Sequence, residues 1–354
     1  MMVMLPVNSP LRIILTSVAL ATLAVIFLFI GWQIAELLLL SFAGVLLGVL
    51  LMALTDLVSR CTPMSRGPSL LMVMVIGAAV VGGGTWLLGT RVVDEAEAMV
   101  KLLPDGVQQA RQWLQQFAWG KELFRLLHNL RTDSHTLQGS TLLGGASGIV
   151  YSGLDIALKG ILVVFLGVYL AVNPLLYKNG ILRLVPFGRR DRAREVLEQS
   201  DRTLRSWLAG EAVIMLVVGT LQGVGLWLLG VPLALTLGVL AGALEFIPNL
   251  GPVTAGTLAT LVALTKSPTL AGHVIVFMLV LQAIEGNVLQ PLVQKFAVDL
   301  PPVLTLLCQV VAATLFGLPG LLVATPLAAA GRDWVRMLYV EDVLGDHLAK
   351  KEGD

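Results

Sequence analysis

Charge is scarce in this chain. Of 354 residues only 13% are Asp, Glu, Lys or Arg, against 56% that are hydrophobic. A soluble domain carries roughly 25% charged residues, so a soluble globular fold is excluded. The formal net charge of +1 gives no basic surface for nucleic acid. Cysteine is nearly absent too. Cys61 and Cys308 lie far apart without metal or redox spacing and read as ordinary thiols. The four histidines, at 128, 135, 273 and 347, have no ligand spacing, and there is no His-Glu-x-x-His. No Gly-Lys-Ser/Thr occurs, which removes a Walker A phosphate loop and with it an ATP-driven pump within this chain. Gly82-Gly83-Gly84 sits inside an apolar run, where it serves close helix packing. No enzyme chemistry and no cofactor are expected.

What is abundant is uncharged sequence. The runs cover 13–35, 37–55, 67–90, 160–177, 212–244, 246–265 and 300–331. A bilayer crossing takes about 20 apolar residues. The fold class expected is all-α, a polytopic helical membrane protein. The first run is long for a signal-peptide core and leads almost directly into the second, so it is read as a span.

Lys and Arg orient the chain. Arg12, then Arg60 and Arg66, then the segment 173–209 with eight Lys/Arg against four Asp/Glu mark the cytoplasmic side. A turn at 31–36 and the segment 91–153, whose six Lys/Arg balance six Asp/Glu, fall outside. Both termini are then cytoplasmic, in a bacterial inner membrane. Residues 91–135 read as helix interrupted by Pro104, with apolar faces at Val92, Val93, Ala96, Met99 and Val100 and at Trp113, Leu114, Phe117 and Trp119. This is a lid, a subunit contact or a pair of surface helices. Residues 189–208 read as a cytoplasmic helix, and its Arg189, Arg190, Arg192 and Arg194 either bind anionic lipid or simply anchor the loop.

Two apolar hairpins near the C-terminus carry most of the information. Pro232–Pro252 and Pro301–Gly320 align without a gap at an offset of 69 residues, pairing Leu235-Thr236-Leu237 with Leu304-Thr305-Leu306 and Gly251 with Gly320. Each is broken in the middle by Gly and Pro. The arms are short for a crossing, so both read as re-entrant pairs separated by one span at about 270–290, making the repeat inverted; full crossing by each arm is the alternative. Paired interruptions of this kind point to a transporter's binding site.

The polar residues within these runs are the site candidates. Glu245 has 33 uncharged residues before it and 20 after it. An ionised carboxylate at a helix centre costs roughly 2.5–3.5 kcal/mol on insertion scales. Glu245 is therefore a proton or cation site, or a structural tie at the hairpin tip. Pro248, Asn249, Gly251 and Pro252 free backbone groups beside it. Gly317, Pro319, Gly320 and Thr325 offer a similar set in the second hairpin. Gln282, Glu285, Asn287 and Gln290 form the polar stretch of the intervening span. The domain reading is 1–90, three N-terminal spans acting as scaffold; 91–150, an extracytoplasmic helical segment; 151–210, a span with a basic helix; 211–338, a transport core with hairpins 233–265 and 303–331; and 339–354, a cytoplasmic tail.

Leu229-Gly-Val-Pro232, Phe246-Ile-Pro-Asn-Leu-Gly-Pro252, Glu285-Gly-Asn-Val-Leu-Gln-Pro291, Asp299-Leu-Pro301 and Phe316-Gly-Leu-Pro-Gly-Leu-Leu-Val-Ala-Thr-Pro326 resemble the autoinducer-2 exporter family of bacterial membrane permeases. The resemblance implies a homo-oligomeric, pentameric secondary transporter of a small polar solute. Its hairpins would move in an elevator-like way, and export of an autoinducer-2-like signal or sodium–proton antiport would be its work. A channel or scaffold without coupled transport is the alternative of another class.

Overall fold

The structure is a computed structural model and describes residues 10–87, 89–116, 146–294 and 300–346. Phe117, Trp119, the glycine-rich stretch 139–145, Lys295, Asp299 and the tail from 347 lie outside the described residues. The described residues contain helices and no β-strand. Among the described residues four helices are long and apolar enough to cross a membrane, or five if a bent pair counts as one span. The fold is thus all-helical and of the multi-pass membrane class.

Helix α1 runs unbroken from Pro10 to Cys61, 52 residues. The turn expected at 31–36 does not form. Gly31 is the only breaker there, no proline accompanies it, and one helical glycine costs only about 1 kcal/mol. The inference that the N-terminus shares a side with Arg60 depended on that turn and does not follow from a continuous helix. Helix α2 covers Arg66–Leu87 and α3 Gly89–Leu114. Pro104 lies inside α3 without ending it, contrary to the interruption expected.

Helix α4 (Ala146–Val172) meets α5 (Pro174–Leu184) at a 91° elbow. Pro174 supplies no N–H and opens the new helix at its first position. Helix α6 covers Arg190–Leu228 in one piece. The basic helix and the following span, expected as two elements, are a single helix because no Gly-Pro break separates Leu208 from Val213.

Small residues set the closest packing. A Cβ on Gly44 would lie 2.6 Å from Leu166 Cβ, and one on Gly167 2.8 Å from Leu47 Cγ, which joins α1 to α4. Helix α7 (Ala234–Leu244) lies along α6 with Gly219 and Gly223 facing Gly242 and Gly238. A Cβ on Gly238 would meet Gly223 Cα at 2.5 Å, so the two backbones touch with no side chain between them.

Helix α8 (Leu250–Leu264) returns beside α7 and completes the first hairpin. Helix α3 docks at its base: Thr236 Oγ1 donates to Glu95 Oε2, and Gly106 lies against the Leu261 carbonyl. Helix α9 (Pro268–Ile284) starts with Ser267 as N-cap, its Oγ accepting from Leu270 N, and continues through a π-helical turn at Glu285–Leu289 to Gln294.

Helix α10 (Pro302–Trp334) is helical on both sides of Gly317, whose φ of 63° and ψ of −144° reverse the chain. Gln309 and Thr325, sixteen residues apart, touch at 3.3 Å, where a straight helix would separate them by ~24 Å. A Cβ on Gly320 would lie 2.2 Å from Ala312 O, which shows the same fold-back. The second hairpin is therefore two antiparallel arms.

One apolar core joins α1 (Leu39, Leu46, Val49, Met52), α6 (Leu204, Trp207, Leu208) and α10 (Val323, Ala330), with Phe246 and Phe316 packed on it. The other holds α6, α7, α8 and α9 together around Leu226, Leu237, Val262 and Val274.

Candidate functional site

The break of the first hairpin is a strained turn. Asn249 has φ 68° and ψ −45°, and Leu250 N donates to Pro248 O at 2.8 Å. That i to i+2 bond is the signature of a γ-turn, rare and strained for an L-residue. Proline before it and glycine after it permit the reversal; Gly251 is so close to Leu244 that a Cβ would lie 2.1 Å from its carbonyl oxygen. Strain of this kind concentrates at functional sites.

Glu245 sits one turn before this break and is 3% exposed. Glu285, also 3% exposed, opens the π-helical turn of α9, and the two carboxyls are near enough to influence each other electrostatically. Single π turns inside α-helices are frequent at functional sites. Gln282 Nε2 and Gln290 Nε2 donate to Glu285 at 3.4 and 3.3 Å. A third carboxyl, Glu211 on α6, is 7% exposed and close enough to interact electrostatically with both. Glu245 Oε2 is buried without a hydrogen-bond partner. Among the described residues no three acidic, His or Cys side chains are grouped to ligate a metal ion.

A second polar cluster joins the hairpins. Gln309, wholly buried on the first arm of α10, donates through Nε2 to Pro248 O at 3.0 Å and to Thr325 Oγ1 at 3.3 Å. The first break therefore meets the second hairpin about two turns from Gly317, rather than at Gly317 itself. Of the residues singled out in the sequence, Glu245, Glu285, Gln282 and Gln290 converge, and Pro248 meets Thr325 through Gln309. Asn249, Asn287 and Gly317 are exposed, and Asn287 Nδ2 bonds Ala283 O of its own helix. Pro252 and Pro319 are half-buried, and Gly251 and Gly320 are buried where the arms approach. Sequence reading missed Glu211 and Gln309.

The basic end is tied to protein. Arg192 donates to Glu195, Glu341, Asp342 and the Met337 carbonyl, which raises its pKa further above the usual guanidinium value, Glu341 contributing most. Arg190 donates to the Val185 carbonyl and covers the Phe187 ring at 3.8 Å. Arg194 pairs with exposed Asp191. Below them Asp56 accepts from Arg66 and Arg205, and Thr203 and Ser200 bond Asp333 and Trp334.

Several apolar helices, two folded-back helical hairpins and a buried polar junction between them define a multi-pass helical membrane protein. The sequence model of the AI-2E family transporter matches residues 18–339, and the chain belongs to that family. It is 28% identical over 211 residues to YrrI of Bacillus subtilis (strain 168), the match covering 60% of each chain. It is 26% identical over 290 residues to MT0215 of Mycobacterium tuberculosis (strain CDC 1551 / Oshkosh), covering 79% of each, and 26% identical over 258 residues to PerM of Escherichia coli (strain K12), covering 72% of each. The first two bear the names of candidate transport proteins and the third that of a candidate permease. The chain thus spans about three fifths of YrrI's length.

Proposed function

We propose that the protein is a secondary transporter that moves a small polar solute outward across a bacterial inner membrane, between the first hairpin's break and the mid-arms of the second. The observation that carries this reading is the Pro248–Gln309–Thr325 junction, where two broken apolar hairpins bring buried hydrogen-bonding groups together. An autoinducer-2-like furanone is a solute of the right size and polarity. Two re-entrant hairpins entering from opposite faces would expose this site alternately, with the hairpins moving as a unit against α1, α2 and α4 in an elevator-like way. The small-residue seam between α1 and α4 supports a rigid static part, and a homo-oligomer would hold it still.

Cation–proton antiport is the second reading. It is favoured by the adjoining Glu245 and Glu285 carboxyls with Glu211 beside them. A proton or small cation exchanged there would couple movement to an ion gradient. The test is flux in proteoliposomes, measured for autoinducer-2 and for sodium under imposed proton and sodium gradients. Solute accumulation dependent on a gradient supports transport. Currents that follow electrodiffusion alone would reject a coupled carrier in favour of a channel.

A further inference from the structure

We infer that Gln309 is a substrate-binding residue whose amide oxygen selects solutes carrying a hydroxyl or N–H donor and no negative charge. The inference rests on the junction between the two hairpins being the solute's path.

The Pro248 carbonyl can only accept a hydrogen bond, so it fixes the orientation of the Gln309 amide. Nε2 turns toward Pro248 and Thr325 and is fully engaged; Oε1 turns the other way. Oε1 is buried and has no partner. A residue needed only to tie the hairpins would use Nε2 and have its oxygen satisfied, because buried polar groups in native proteins are paired. The free oxygen is explained by a group that arrives from outside the protein.

A second free atom close in sequence to the junction has the same character, while the other two, Gln222 Nε2 and Arg336 Nε, are donors. Glu245 Oε2, one turn before Pro248, is also buried and unpartnered. Both are acceptors, so both call for a donor. The remaining buried unpartnered amide, Gln222 Nε2, is a donor, but it lies eleven residues along α6 from Glu211, ~16 Å away along the helix axis. Glu245 precedes Pro248 by three residues and has Glu285 and Glu211 near it, so the acids beside the junction disfavour carboxylates and phosphates. What fits is a neutral polyol or a primary ammonium. A site built to bond a donor rejects analogues that lack it, since its own acceptor is then left unpaired.

Equilibrium dialysis of the purified full-length protein with radiolabelled erythritol and radiolabelled methylammonium tests this. One of the two probes is expected to bind saturably, which separates the polyol from the ammonium. Unlabelled tetramethylammonium and succinate, which offer no donor, are expected not to compete. Gln309→Met is expected to weaken binding about fivefold, the effect of one lost hydrogen bond. Competition by succinate or tetramethylammonium in the wild-type protein would overturn the inference without any variant having to fold. So would unchanged binding in Gln309→Met, or no binding of either probe. Binding as expected but no flux of the bound probe in proteoliposomes would leave the selectivity intact and reject the transport reading instead.

Discussion

Trp207 and Phe246 meet edge to face, their ring centroids 5.5 Å apart at 74°. Trp207 stands on α6 one turn before Glu211, and Phe246 follows Glu245. The pair therefore fixes the tip of the first hairpin to the helix that carries the third carboxyl. An aromatic pair of this geometry contributes about 0.5–1.5 kcal/mol beyond its burial. Both rings belong to the core that includes Leu39 and Leu46 of α1.

Movement of the hairpins relative to α1 must open that core. In a protein whose Cys61 and Cys308 are replaced by Ser, Phe42→Cys and Phe246→Cys joined by a bifunctional thiol reagent are expected to abolish flux. Reducing the link should restore it, with unchanged elution on size exclusion. Full flux in the linked protein would mean that the hairpins do not move against α1.

Glu245→Gln keeps the size of the side chain and removes its acidity. The variant is expected to insert and assemble, and to lose the dependence of flux on an imposed proton or sodium gradient. Near-wild-type coupled flux from about pH 5 to 8 would reduce Glu245 to a structural tie.

Gly317 has no neighbour within 4 Å of an added Cβ, yet its backbone angles are open only to glycine. Gly317→Ala should therefore destabilise by roughly 1–3 kcal/mol through strain alone. Gly272→Ala, with equal space in an ordinary helix, should stabilise by up to about 1 kcal/mol. Thermal unfolding followed by tryptophan fluorescence measures both; equal effects would show that the reversal at Gly317 is not locked by its backbone.

Arg192 uses its donors on four protein partners. Arg192→Ala should lower thermal stability and expose the segment after Trp334 to protease, while leaving attachment to anionic vesicles unchanged. The reverse pattern, weaker vesicle attachment with normal stability, is expected of Arg189→Ala combined with Arg194→Ala.

Breaks and isolated charges were the legible part of this chain. Gly-Pro pairs in apolar runs marked the two chain reversals, Glu245 stood out because a carboxylate is costly among uncharged residues, and Glu285 was read as part of a polar stretch. Glu211 was hidden by its neighbours: it borders a basic helix, so it looked like the end of a loop until α6 proved continuous. Gln309 carried a signal, a lone amide in an apolar arm, but its importance depends on a partner 61 residues earlier. The false turn at 31–36 came from reading one glycine and a few polar residues as a break; without proline the helical hydrogen bonds simply continue. Asn287 shared the polar stretch with Glu285, and the π turn sent it to the outside.

The glycine contact between α6 and α7 has a bearing on friction. Most packed helices interlock through side chains that must climb out of one notch and drop into the next when the helices shift. Here main chain lies on main chain, at Gly219 against Gly242 and Gly223 against Gly238. With no teeth engaged, main-chain contact alone resists sliding along this joint, and the Trp207–Phe246 pair holds the hairpin tip to α6 at one end of it.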